Sequence, residues 1–180
     1  MTFKNIFKLE ESNVHGFHPF TTDIEIGLYN RGLITVINDP VILKPWEVLI
    51  AKNCRILCFT AMGDTFYFDE GKAAVYFLNV QRAETEFVDR DVNRFFDEFL
   101  TIPGVMDKVL GSKRLEAALA YPKPLLKFGQ CYITSPNECL GGSGDIETYT
   151  PGAFEIYIDL MAQTLNTNGK GVFSMKTANR

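Results

Sequence analysis

The sequence predicts an α+β single domain, a mostly antiparallel curved sheet packed against several helices. Two observations carry that expectation. From Cys54 to Val88 the chain reads as short β-rich runs separated by turn residues. Then Val92, Phe95, Phe96, Phe99 and Leu100 recur at helical spacing, one apolar stripe able to found a core against the sheet. At 180 residues and 46% hydrophobic, the chain can bury that core as one domain over 1–180.

Residues 1–27 read as an N-terminal extension of mixed character. His15-Gly-Phe-His18-Pro is turn-rich, and Asp23 to Tyr29 allows a short extended piece. Gly32 to Asn38 is β-rich and bounded by Asn38-Asp-Pro40, so it predicts a strand and a turn. Pro45 suits the first turn of a short helix reaching Ile50. Cys54 to Thr60 is nearly all apolar, which predicts a central strand, and Gly63 turns it into Asp64–Asp69. Asp69-Glu-Gly-Lys72 supplies the next turn, with Gly71 free to take positive φ. Val75–Val80 and Glu84–Val88 continue the meander.

Ile102-Pro-Gly104 ends the Phe-rich helix. A short helix through Val105 and Leu110 follows, closed by Gly111, and Ser112 caps another carrying Leu115, Ala118 and Leu119. Gln130–Thr134 is a returning strand, Leu140-Gly-Gly-Ser-Gly144 a loop, and Ile146–Tyr149 a last strand. Thr150 and Pro151 carry the cap and first-turn signature of a final helix with the stripe Phe154, Tyr157, Ile158, Met161, Ala162 and Leu165. Residues 168–180 are expected to fray.

A formal net charge of −4 argues against a general nucleic-acid-binding role and fits a basic protein partner better. No apolar run approaches the ~20 residues that span a bilayer. The lysines near the N-terminus break any signal-peptide core, so a cytoplasmic protein is expected. Cys54, Cys58, Cys131 and Cys139 read as reduced interior thiols. Cys54 and Cys58, four apart on a strand, are expected on one face. His15 and His18 carry no surrounding motif and read as surface-loop residues. The Gly-rich loop lacks a following lysine and helix, so it reads as a tight turn rather than a phosphate cradle. No catalytic group, metal site or cofactor is expected.

Glu84, Glu86, Asp89, Asp91, Asp97 and Glu98 form an acidic segment, either a solvated face or a patch that meets a basic partner. Asp64, Asp69, Glu70, Asp145 and Glu147, at hairpin and loop ends, are the candidate partner contacts.

In order, Gly32 to Pro40, Thr60-Ala-Met-Gly-Asp-Thr-Phe-Tyr-Phe68, Val75 to Val80, the Phe95-to-Leu100 helix, Leu140-Gly-Gly-Ser143 and the closing helix form a set. This set resembles the C-terminal domain of type VI secretion immunity proteins, often paired there with a GAD-like domain. The resemblance covers about 28–165. It implies a non-enzymatic antitoxin that binds and blocks a cognate secreted toxin, a DNase in characterised members. From charge and hydropathy, no direct nucleic-acid or membrane partner is expected. The stretch before Leu28 is short for a complete GAD-like domain. The alternative is a small-molecule-binding or regulatory module with a pocket between the sheet and the Phe-rich helix.

Overall fold

The large sheet is a meander, with tight turns joining its last four strands and longer connections over 12–26 and 37–53 joining earlier ones. The computed structural model describes residues 2–12, 16–21 and 23–167. Seven strands, β1 (Leu9–Glu11), β2 (Gly27–Tyr29), β3 (Ile34–Val36), β4 (Cys54–Thr60), β5 (Thr65–Asp69), β6 (Ala74–Asn79) and β7 (Glu84–Asp89), form one sheet in chain order. Every pairing is antiparallel. A second sheet pairs β8 (Gln130–Thr134) with β9 (Tyr149–Ala153). The helices are α1 (Phe3–Ile6), α2 (Val92–Arg94), α3 (Pro103–Lys108), α4 (Ser112–Ala120) and α5 (Phe154–Thr167). The fold is α+β, as the sequence predicts.

β4 lies in the middle of the large sheet, and its apolar run is explained by burial on both faces. On one face Leu57, Cys58, Phe66 and Val75 join Phe3, Phe95, Phe96 and Leu100 in one core. On the other, Ile56, Phe59, Tyr67 and Leu78 join Trp46, Phe154, Tyr157 and Ile158 in a second. The register of β4 against β5 shifts between Ile56 and Cys58. This bulge places Leu57 and Cys58 together on the first face. Cys54 belongs to the second core and Cys58 to the first, contrary to the expectation from strict alternation.

The Phe-rich stripe is helical, but only Val92–Arg94 is α. Phe95–Phe99 forms a π-helical turn, with the Leu100 amide donating to the Phe95 carbonyl at 3.0 Å. Asp91 caps the start by accepting from the Asn93 and Arg94 amides. Phe95, Phe96 and Leu100 are fully buried, and Phe66 meets the rings of Phe77, Phe95 and Phe99.

Several local expectations fail. The helix expected from Pro45 to Ile50 is a 3-10 turn over Lys44–Trp46. Ile146–Thr148 is a 3-10 turn rather than a strand. Thr150 and Pro151 lie in β9, paired with Ile133 and Tyr132, so the final helix begins later, at Phe154. A proline is tolerated there because a two-stranded sheet leaves each strand a free edge. Ser112 is the first residue of α4, Gly111 holds the cap position, and the Ser112 hydroxyl donates to Asp107. In the β5–β6 turn it is Ala73, not Gly71, that takes positive φ, at 49°. The expected fraying of 168–180 lies outside the described residues.

Candidate functional site

The five acidic residues expected as partner contacts do not form one surface. Asp64 precedes β5 and Asp69 ends it, so the strand holds them about 17 Å apart. Asp69 is buried, contrary to expectation. Its carboxylate accepts from the Gly71 and Lys72 amides at 3.0 and 3.2 Å and pairs with the Lys72 ammonium at 3.5 Å. It is the internal brace of the β5–β6 turn. Glu70 is exposed and paired with Arg55 at 3.1 Å.

At the other end of β5, Asp64 accepts the Val80 amide at 2.9 Å, tying the β4–β5 turn to the end of β6. It is partly buried, not a free strand tip. Burial pushes its carboxyl up to about 6; the Val80 amide and Arg114 oppose that rise and Glu138 adds to it. Around it lies a small cavity of about 110 Å³, also lined by Asn79, Gln81, Arg114, Thr134 and Glu138. Arg114 on α4 pairs with Glu138 at 2.8 Å and donates to the Tyr149 hydroxyl. Gln81 donates to the Tyr157 hydroxyl at 2.7 Å and accepts the Cys139 amide at 3.3 Å.

Asp145 and Glu147 are exposed on the loop beyond this cavity. Glu147 accepts the Tyr121 hydroxyl at 2.6 Å, which holds its carboxyl below the usual range, and its carbonyl accepts the Lys123 ammonium. The Gly-rich loop is a turn, with Gly141 and Gly144 at positive φ. A Cβ on Gly142 would stand 2.0 Å from the Pro136 carbonyl, so the loop's close return requires glycine there.

Burial pushes the Cys58 and Cys131 thiols far up, which keeps them protonated. His18, expected in a surface loop, is fully buried. Its Nε2 lies 3.1 Å from the Ile56 carbonyl, Nδ1 accepts the Phe20 amide at 3.4 Å, and desolvation lowers its pKa. His15 lies outside the described residues. Among the described residues, no three metal-binding side chains cluster and no helix is long and apolar enough to cross a membrane.

The acidic segment divides by role. Asp97 accepts the Phe3 amide at 2.8 Å, Asp91 caps α2, and Asp89 forms a short pair with Arg94 at 2.6 Å. These three hold the fold. Glu84 and Glu86 are exposed on β7, and their carboxylates have no hydrogen-bond or ion-pair partner among the described residues. β7 is an edge strand of the sheet, and beside these acids Phe87 is 57% exposed. The exposure of a large apolar residue on an edge strand has no local signature in the sequence. The acidic alternation did.

A separate cavity of about 400 Å³ is lined chiefly by Ile26, Ile37, Ile42, Phe59, Phe128 and Phe154. It lies on the second face of the sheet, away from the Phe-rich helix.

These features define an α+β body with an acidic sheet edge. Its fold is shared with a crystal structure of Atu4351 from Agrobacterium tumefaciens. The two superpose with a TM-score of 0.59 over 77% of this chain and 70% of that one, at 13% sequence identity. No protein-family model matches the chain, and no curated protein matches it.

Proposed function

We propose that the chain is a non-enzymatic immunity protein that binds a cognate secreted bacterial toxin and blocks it by occlusion. The observation that carries this is the edge strand β7. It presents two unpaired carboxylates, Glu84 and Glu86, next to an exposed Phe87. Unpaired surface carboxylates speed encounter with a basic partner, and an exposed aromatic supplies an apolar anchor at the contact centre. A nuclease-type toxin, which must itself carry positive charge to hold nucleic acid, is the partner class the sequence resemblance implies. Asp145 and Glu147 form a second exposed acidic spot, while Asp69 is withdrawn from the contact set because its carboxylate is consumed internally.

The test is co-expression with the product of a neighbouring gene, scored by survival and by pull-down. Survival and a stable complex are expected. Loss of neither on reversing the charge of Glu84, Glu86, Asp145 and Glu147 together would remove the electrostatic mechanism. Turnover of any substrate by purified protein would remove the non-enzymatic reading.

A second reading is a small-molecule-binding module. The space beneath the Phe-rich helix is filled by Phe66, Phe95 and Phe96, which tells against a pocket there. The 400 Å³ apolar cavity beside Phe59 and Phe154 favours this reading at a different place. An apolar probe dye displaced from that cavity by a metabolite extract would support it.

A further inference from the structure

We infer that β7 binds its partner by strand addition, taking an extended segment that alternates basic and apolar residues as an eighth strand of the sheet. The inference rests on the immunity reading only for who the partner is; the docking mode follows from the edge itself.

β7 is last in the strand order, so among the described residues one side of its backbone meets no further strand of the sheet. An edge with free amides and carbonyls is a template for another strand. Its two faces differ in chemistry. Glu84 and Glu86 stand opposite Asn79 and Phe77, while Thr85 and Phe87 stand opposite Leu78 and Tyr76. On the second face an aromatic row crosses three strands. Tyr67 stacks on Tyr76 at 5.6 Å, and Tyr76 meets Phe87 edge-on at 5.9 Å. The row ends at the edge on exposed Phe87. An added strand continues it with an apolar residue beside Phe87 and places lysine or arginine beside Glu84 and Glu86, where cross-strand opposite charges are favourable.

The register also limits the docking length. The β6–β7 pairing shifts between Val75–Asp89 and Tyr76–Phe87, a bulge at Val88, and Asp89 is occupied by Arg94. Bulges bend a strand and end regular pairing. The usable edge is therefore Glu84 to Phe87.

Charge decides among occupants. In a β7–β7 pairing of two copies, the carboxylates of one would meet those of the other, which is destabilising. Nucleic acid is repelled for the same reason. A basic strand is the complement.

The probe is a short synthetic peptide alternating lysine with valine, compared with the same peptide N-methylated at alternate residues and with one alternating glutamate with valine. Amide hydrogen exchange and calorimetry read the result on the full chain. The lysine peptide is expected to bind, more weakly at high salt, and to slow exchange at every second amide between Glu84 and Phe87. Methylation should abolish binding, since it removes donors without changing charge. The double variant E84K/E86K should lose the lysine peptide by roughly tenfold or more and gain the glutamate peptide. Equal binding of the methylated peptide, protection elsewhere, or protection of β7 by self-association without peptide would each overturn the inference. If a toxin is neutralised equally well by E84K/E86K, strand addition falls and the immunity reading stands. If the peptide binds as described but no neighbouring gene product is toxic and neutralised, strand addition stands and the immunity reading falls.

Discussion

The indole Nε1 of Trp46 donates a hydrogen bond of 3.0 Å to the carbonyl oxygen of Ile158, joining residues 112 apart in sequence. Trp46 is fully buried in the second core, and its partner lies within α5. The bond therefore fastens the final helix to the 3-10 turn that precedes β4. Trp46→Phe keeps an aromatic ring but loses the donor and part of the side-chain volume, and should cost about 1–3 kcal/mol. Trp46→Ala should cost about 3–5 kcal/mol by opening a cavity as well. Urea unfolding measures both. A Trp46→Phe variant as stable as the parent would show that neither the bond nor the lost volume adds anything net.

Burial of His18 makes the protein sensitive to acid. Its pKa is lowered from 6.5 chiefly by desolvation, against the pull of the Ile56 and Ile37 carbonyls. Below pH 6.5 the unfolded chain binds a proton that the folded chain refuses. Stability is therefore lost as pH falls from 6.5 toward the lowered folded value and is unaffected above 6.5. His18→Gln retains a donor for the Ile56 carbonyl and removes the titration. Unfolding at neutral and mildly acidic pH should show a smaller acid loss in the variant than in the parent. Equal losses would place the acid sensitivity elsewhere.

Ala73 sits at φ 49° and Ala83 at φ 52°, in the turns before β6 and β7. A side chain in the left-handed region costs roughly 1–2 kcal/mol, and glycine removes that at an unfolded-state entropy cost of about 0.4–1 kcal/mol. Ala73 is exposed, so Ala73→Gly should stabilise by roughly 0.5–1 kcal/mol, read as a Tm rise of a few degrees. Ala83 is only 6% exposed, so its methyl contributes burial and Ala83→Gly should gain less. A fall in Tm for Ala73→Gly would mean that the strain is relieved in solution.

What the sequence made legible and what it hid separate along one physical line. β4 and β8 were readable to the residue, because an apolar or alternating run bounded by turn residues is a local signal. The π-helical turn was readable as a stripe but not as a widened helix, since Phe95 and Leu100 suit either ladder. Thr150-Pro151 misled because the same dipeptide suits a helix start and an edge strand, and the pairing with β8 decided between them. His18 and Asp69 misled for a different reason. Polar residues are buried when partners close around them, and the His18 partner is a carbonyl 38 residues away. Cys54 and Cys58 parted because a bulge at Leu57 cannot be seen in an all-apolar run. At the candidate site, the acidity of Glu84 and Glu86 was visible. Which acids of the segment stayed unpaired depended on Arg94, Phe3 and the start of α2.

Ionisation of the Asp64 carboxyl opposes folding. Its carboxyl is raised from 3.8 to about 6 by desolvation, while Arg114, Arg82 and the Val80 amide favour the charged form and Glu138 disfavours it. Between those two values the folded chain holds a proton that the unfolded chain has released, so stability falls as pH rises across that window. The displacement corresponds to about 3 kcal/mol at neutral pH. Asp64→Asn keeps an oxygen acceptor for the Val80 amide and carries no charge. The stability of Asp64→Asn minus that of the parent should climb between pH 4 and pH 6 and level off above, in the opposite direction to the His18 effect. Measuring it in a His18→Gln background isolates the slope. A difference that stays flat across the window would mean that the Asp64 carboxylate reaches solvent freely, with its cavity open to water rather than closed by Arg114 and Glu138.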